Sequence, residues 1–311
     1  MDLPPVLVVM PLYNARPYVV QAVNSILTQT YPNLHLLVID DGSSDGSDGI
    51  INAMNDNRIL FIRQQHKGPG AAMNQGITIA QEKNYPFLAR MDADDVSLPN
   101  RLEEQVRLLL KYPNVAACSA NCYYIESSTE KIIGTSTVAC SPALIRWEIR
   151  QGLRGLIQGA TLFRTHALAS IGGYREAFKQ SEETDLFLRL AEEYPMTNSP
   201  KFLYKIRLRK DSLSTQDLRD NVLYTLYALD CSRQRAHRKP ERDFHTFIDQ
   251  MNWLTRWKAR REEWLLSCWR KSLTSNKHTK LVFLFLSVLY DPKRLLARIL
   301  RTIDTRVTRY R

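Results

Sequence analysis

Short apolar runs alternate with stretches of helical period through the first third of the chain. Val6–Met10 is apolar throughout and reads as a buried strand. Tyr18–Gln29 follows with Val19, Ala22, Val23 and Ile26 at helical spacing. Leu34–Ile39 reads as a second strand, and the turn-rich run from Asp40 to Ser47 opens a helix through Met54. A third strand is expected at Ile59–Ile62, a helix around Ala71–Gln81, and a fourth strand at Phe87–Met91 that ends directly at Asp92. Pro99 then starts a helix through Leu110. This alternation predicts an α/β fold with a mostly parallel central sheet flanked by helices.

Farther on the pattern mixes. Val115–Ala120 and Thr161–Arg164 read as strands and Asp185–Glu193 as a helix. After about Ser214 strand signals stop, and amphipathic helices are expected at Asp217–Arg235, Asp243–Lys271, Lys280–Tyr290 and Pro292–Thr308. The expected division is a catalytic domain over 1–215, with halves 1–110 and 111–215, and a basic, Trp-containing helical region over 216–311. A chain of 311 residues, 44% apolar, can bury the core of one large α/β domain plus such an appendage.

Charge sharpens that division. Residues 231–311 carry 20 Lys and Arg against 7 Asp and Glu, although the whole chain is only +11. The excess positive charge therefore belongs to the C-terminal quarter. Five scattered cysteines, Cys118, Cys122, Cys140, Cys231 and Cys268, lack a metal-site pattern and suit reduced thiols in a cytosolic protein. No basic segment precedes the first apolar run, so a signal peptide is not expected. The longest apolar stretch elsewhere, Leu281–Tyr290, falls short of the ~20 residues that span a bilayer.

Acidic clusters stand at the ends of two expected strands, where open α/β sheets bind ligands. They are Asp40-Asp41 and Asp92-Ala93-Asp94-Asp95. Three carboxylates within four residues repel one another unless a cation neutralises them, and an all-oxygen donor set suits Mg²⁺ or Mn²⁺. Asp45 and Asp48 read instead as turn or helix-cap aspartates.

These motifs and their order carry a resemblance. MPLYN (Met10–Asn14), SILTQTYPN (Ser25–Asn33), VIDDGSSDGS (Val38–Ser47) and KGPGAAMNQGI (Lys67–Ile77) are followed by ARMDADDVSLPNRL (Ala89–Leu102), GGY (Gly172–Tyr174) and SEETDLFLRLAE (Ser181–Glu192). The series spans about Leu3 to Ser214 and resembles inverting, GT-A-type glycosyltransferases of family 2, of the bacterial type that builds cell-surface polysaccharide or lipopolysaccharide.

The resemblance implies roles for matching positions. Pro11 and Tyr13 would line the nucleotide base pocket and Asp41 would hydrogen-bond the base; Lys67 and Asn74 would flank the nucleotide. Asp92 and Asp94 match the D-x-D pair, with Asp94 the direct ligand of Mn²⁺ or Mg²⁺ and Asp92 nearer the ribose; Asp95 would be a support on the helix side. The donor would be a nucleotide sugar, a UDP-sugar favoured, and the acceptor a glycan or lipid-linked hydroxyl. That hydroxyl needs a general base. The family has Glu-Asp at the base position; here it is Glu182-Glu183, so Glu183 falls on the base and Glu182 is the alternative. Longer reach by one methylene is a departure, since about 1 Å of misplacement can cost ~10²-fold in rate. A second departure is Arg209, which occupies a position that is His in many relatives and could contact phosphate. Gly172-Gly173-Tyr174 resembles the acceptor-side loop, with Gln158-Gly159 and Thr161 on the same floor; Trp147 is either core or acceptor-facing. The six histidines, His66 among them, read as structural or exposed.

The tail mixes Trp253, Trp257, Trp264 and Trp269 with Arg256, Lys258, Arg260, Arg261, Arg270 and Lys271. Such a mixture suits an anionic membrane surface, met by residues 216–311 of a cytoplasmic protein at the inner face of the membrane. It is also compatible with a helical subdomain packed on the core, with Trp inward and Arg outward. Competing functions are a nucleic-acid binder using this tail, which lacks a reader motif, and a catalytically impaired relative, suggested by the Glu183 departure. A sugar-1-phosphate nucleotidyltransferase would need a Gly-rich basic loop where Pro11-Leu12-Tyr13-Asn14 stands. No nucleic acid is expected as a partner.

Overall fold

The computed structural model describes residues 3–209, 218–274 and 292–309. Strands β1 (Val6–Leu12), β2 (Leu34–Asp40), β3 (Ile59–Arg63) and β4 (Phe87–Arg90) lie side by side in the order β3-β2-β1-β4, all parallel. Helices α1 (Val19–Leu27), α2 (Ser47–Ala53) and α3 (Pro69–Glu82) connect them. Register sets Leu12 opposite Asp40 and Val9 opposite Arg90, so the residues that follow β1, β2 and β4 emerge on one edge.

Successive side chains of a strand face opposite sides of its sheet. Val6, Val8, Met10 and Leu12 of β1 accordingly pack with Val19, Val23 and Ile26 of α1 on one side. Leu7 and Val9 pack with Ala72, Met73 and Ile77 of α3 on the other. Burial on both faces is why these strands read as continuous apolar runs. Each fully buried Val, Leu or Ile contributes roughly 1.5–3 kcal/mol.

Beyond β4 come β5 (Val96–Ser97), α4 (Arg101–Lys111), β6 (Ala117–Glu126), β7 (Ile132–Ser136), α5 (Pro142–Arg150), β8 (Leu162–Arg164), α6 (Thr165–Ser170), α7 (Glu182–Glu193) and β9 (Met196–Leu208). β8 joins β4 and β6 antiparallel, β6 and β9 run parallel, and β5 and β7 pair antiparallel with β9 and β6. The nine strands among the described residues thus form one mixed sheet, parallel where the sequence alternates strand and helix. β9 has no apolar run to announce it. Its pairing with β6 jumps from Ser199 to Phe202, a bulge that takes up Pro200 and Lys201.

Four helices follow among the described residues: α8 (Leu218–Ala236), α9 (Phe244–Asp249), α10 (Trp253–Thr274) and α11 (Pro292–Arg309). The single helix expected over Asp243–Lys271 is two. Asp243 accepts the Thr246 N–H at 2.9 Å to start α9, and Asn252 accepts the Thr255 N–H at 2.9 Å to start α10. The expected helix Lys280–Tyr290, its apolar stretch Leu281–Tyr290, Lys210, the boundary near 215 and the side chains of Trp269, Arg270 and Lys271 lie outside the described residues.

Val222, Tyr224, Tyr227 and Ala228 of α8 and Phe247 of α9 share the core that holds Leu186 and Leu190 of α7. The first part of the basic region is therefore built into the α/β core. α11 docks through polar contacts on α5. Arg301 Nε donates to the fully buried Glu148 at 2.6 Å, and Asp304 accepts the Ser141 N–H at 2.9 Å. The five cysteines are free and buried.

Candidate active site

The donor-side residues gather at the edge where β1 and β2 end. Asp41 is 2% exposed. Its Oδ1 accepts the Lys67 N–H at 2.8 Å and the Gln64 amide at 2.7 Å; its Oδ2 accepts the Gly68 N–H at 2.8 Å and faces His66 Nδ1 at 2.9 Å. Asp41 therefore shapes the loop ahead of α3, and a nucleobase hydrogen bond from it would share an oxygen already engaged. Tyr13, 43% exposed, meets the His66 ring at 4.4 Å between centroids. The two rings make an aromatic wall at the rim of Asp41, with Pro11 on β1 and exposed Lys67 beside it in the chain. His66 thus belongs to the site, and only its place one residue before Lys67 hinted at this.

Asn74 stands on α3, where its Nδ2 donates to the Tyr174 carbonyl and its Oδ1 accepts the Tyr174 N–H, both at 2.8 Å. Gly173 adopts φ +64° there, and a Cβ on it would sit 2.5 Å from Asn74 Oδ1. The Gly172-Gly173-Tyr174 turn is therefore locked onto α3, which leads out of the donor loop. Glycine is required at Gly173 by both its backbone and its neighbour.

The acidic cluster follows β4. Asp92 Oδ1 accepts from Arg90 Nε at 3.0 Å. Asp94 Oδ2 lies 3.3 Å from Arg209 Nη1. Asp95 is buried and accepts the Arg207 N–H at 2.8 Å. That contact makes it a support held to β9, where the sequence suggested the helix side. Burial first, then the charge of Asp92, pushes the Asp94 carboxyl up from the usual range; burial and both neighbours push Asp95 up further. Arg207 and Leu208 end β9.

A hard divalent cation fits this donor set. Asp92 and Asp94 offer oxygen only, and burial first, then the neighbouring charge of Asp92, raises the Asp94 pKa, a penalty on its ionised form that a bound cation would relieve. Among the described residues no three His, Cys, Asp or Glu side chains converge as a cage. Coordination through one or two carboxylates, completed by diphosphate and water, is how Mg²⁺-like ions bind.

The acceptor-side carboxylates open α7. The helix starts at Glu182, three residues earlier than expected, after Ser181 in a left-handed conformation. Glu182 Oε1 accepts from Gln158 Nε2 at 3.3 Å and lies 3.7 Å from Arg90 Nη1. Burial, then the charge of Glu182, raises Glu183 to about 7. Asp185 is fully buried between Arg175 and Arg189, a structural ion cluster. Gly159 approaches so closely that a Cβ would lie 2.7 Å from Asp92 Oδ2. Gln158-Gly159 thus lies against both acidic groups. Trp147 is half-buried in an apolar groove of about 500 Å³ shared with Leu144, Leu296, Leu300 and Ile303. Arg90 was missed in the sequence; its signal is an arginine closing an otherwise apolar strand.

A family model described as glycosyl transferase family 2 matches residues 7–178. The chain belongs to that family. The match takes in the donor-side residues and Asp92–Asp95 and stops before Glu182-Glu183. Among sequence relatives, an uncharacterised glycosyltransferase of Rickettsia conorii is 26% identical over 237 residues, 71% of this chain and 37% of that protein. The chain spans 37%, 38% and 55% of the length of the first three curated relatives it matches. S. aureus TarS 1–349 in complex with UDP aligns at a TM-score of 0.56 and 13% identity, covering 99% of this chain and 92% of that one. The mannosyltransferase PcManGT of Pyrobaculum calidifontis, in complex with GDP-Man and Mn²⁺, aligns at 0.58 and 17% identity, covering 97% and 84%. The likeness shows that this family 2 chain has the GT-A fold.

Proposed function

We propose that this chain transfers a sugar from a nucleotide sugar to the hydroxyl of a glycan or lipid-linked acceptor, with inversion at the anomeric carbon. The observation that carries the reading is the division of labour between the two glutamates. Glu182 is engaged by Gln158 and Arg90, whereas Glu183 is left with a pKa near neutrality, which is where a general base works best. Glu183 takes the acceptor's proton as the acceptor oxygen bonds to the sugar and the bond to the nucleoside diphosphate breaks. A single displacement by one base inverts configuration.

Asp94, with Asp92 toward the ribose, would hold Mn²⁺ or Mg²⁺, which when bound neutralises charge on the diphosphate. Tyr13 and His66 receive the base, with Pro11, Lys67 and Asp41 shaping that pocket. Arg209 stands where it can turn from Asp94 to a phosphate. UDP and GDP-Man appear in the complexes of structural neighbours, which supports a nucleotide-sugar donor, and a UDP-sugar is favoured. Residues 1–110 would serve the donor and 111–215 the acceptor.

The region 216–311 is proposed to hold the enzyme at the inner face of the cytoplasmic membrane. No helix among the described residues is long and apolar enough to cross a bilayer. Trp253 is 78% exposed, and Trp257, Leu295, Leu296, Ile299 and Ile303 are also exposed, beside Lys293, Arg294 and Arg298. Apolar side chains among basic ones match an anionic leaflet.

The test is incubation with UDP- and GDP-sugars, Mn²⁺ and a lipid-linked glycan fraction. NMR of the product should show an anomeric configuration opposite to the donor's. Retained configuration, or no nucleotide release with any donor, would overturn the reading.

A further inference from the structure

We propose that Arg90 is a positioning residue that couples the donor carboxylate Asp92 to the acceptor-side carboxylate Glu182. The inference rests on the glycosyl-transfer reading of both carboxylates. It adds a residue to which neither the family motifs nor the neighbours give a role.

The geometry is that of a bridge. Arg90 closes β4, 5% exposed, with apolar Phe87, Leu88 and Ala89 before it. Its Nε donates to Asp92 Oδ1 at 3.0 Å, and Nη1 lies 3.7 Å from Glu182 Oε1. The guanidinium carbon stands 6.0 Å from the centre of the Tyr174 ring, whose own backbone is pinned by Asn74. A planar guanidinium cannot approach one carboxylate without turning its remaining N–H groups relative to the other. Burial disfavours the charged guanidinium, but Asp92, then Tyr174 and Glu182, outweigh it and keep it firmly protonated.

Two further contacts tighten the bridge. Gln158 Nε2 donates to Glu182 Oε1, and the next residue, Gly159, lies so close to Asp92 that a Cβ on it would stand 2.7 Å from Asp92 Oδ2. Asp92 and Glu182 are thus held by one buried cation and one short backbone segment. A donor that draws on Asp92 loosens its hold on Arg90, and Arg90 then shifts its charge toward Glu182. Arriving donor thereby readies the acceptor side. Substituting one neighbour of a shared charge changes what the other neighbour is worth, typically by 0.5–3 kcal/mol, or about two-fold to a hundred-fold in affinity.

Calorimetry of UDP and GDP with Mn²⁺ tests this on the full chain, without needing the acceptor. The proteins are wild type, Glu182→Gln, Arg90→Gln and the double variant, each checked by thermal melting. Glu182→Gln is expected to change nucleotide affinity about three-fold or more when Arg90 is present, and by less than about 1.5-fold in the Arg90→Gln background. Arg90→Lys keeps the charge without the fork; in the same cycle it should lose more than half of the coupling, which covers the case that Arg90→Gln does not fold. Additive effects in both cycles overturn the bridge while leaving the donor reading intact. Binding of neither nucleotide to wild type overturns the donor reading itself, and the bridge with it.

Discussion

Asn74 on α3 holds Tyr174 by both its backbone N–H and its carbonyl, at 2.8 Å each, across 100 residues of sequence. One amide thus fixes the Gly172-Gly173-Tyr174 turn to the helix that begins at the donor loop. Asn74→Ala leaves two backbone groups without their partner. An unpaired buried polar group costs about 1–3 kcal/mol, so a loss of about 2 kcal/mol is expected, read by denaturant unfolding. Unchanged stability would mean that water or a neighbour replaces the amide.

A pH dependence follows from Glu183. Burial and Glu182 raise it from an ordinary glutamate value of about 4.3 to about 7. Between those values the folded chain binds more protons than the unfolded one, so this group makes stability fall as pH rises through the window. Glu183→Gln should therefore raise Tm at pH 8 and leave it unchanged at pH 4. Transfer by the wild type should appear as pH rises through about 7, because the base must be ionised. A Tm gain of equal size at both pH values would point to packing, not ionisation.

Much of this was legible in the chain. β1, β2 and β4 are buried on both faces, so their apolar runs mark them, and Asp92 to Asp95 declare themselves by standing directly after such a run. β5 has two residues and β9 carries Pro200 at a bulge, so neither has the pattern of a strand by itself. The partners of the site were the least legible part. Asn74 with Tyr174, Arg90 with Glu182 and Arg209 with Asp94 are joined only when distant segments meet at the sheet edge. His66 joins the candidate site through its contacts with Asp41 and the Tyr13 ring.

The C-terminal region offers a location test. The chain should co-sediment with vesicles containing anionic lipid and not with neutral ones. High salt should weaken that binding without abolishing it, since exposed charges are screened beyond ~10 Å at 0.1 M. Truncating the whole region is the wrong variant, because α8 and α9 supply Tyr224, Tyr227 and Phe247 to the main core. Replacing exposed Trp253, Trp257, Leu295 and Ile299 by Ser should remove the salt-resistant part with little change in Tm. Equal sedimentation with neutral vesicles, or none with either, would make these helices a packed subdomain only.

Asp94 is proposed to make nucleotide binding depend on a divalent cation. Its carboxylate is crowded by Asp92 and Asp95 and is countered by Arg209 at 3.3 Å. Calorimetric titration of UDP and GDP, with and without Mn²⁺, into wild type and Asp94→Ala tests it most directly. Wild type is expected to bind one of the two nucleotides in a Mn²⁺-dependent way, and Asp94→Ala to lose this binding while melting as a folded protein. Unchanged Mn²⁺-dependent binding by the folded Asp94→Ala variant would contradict it.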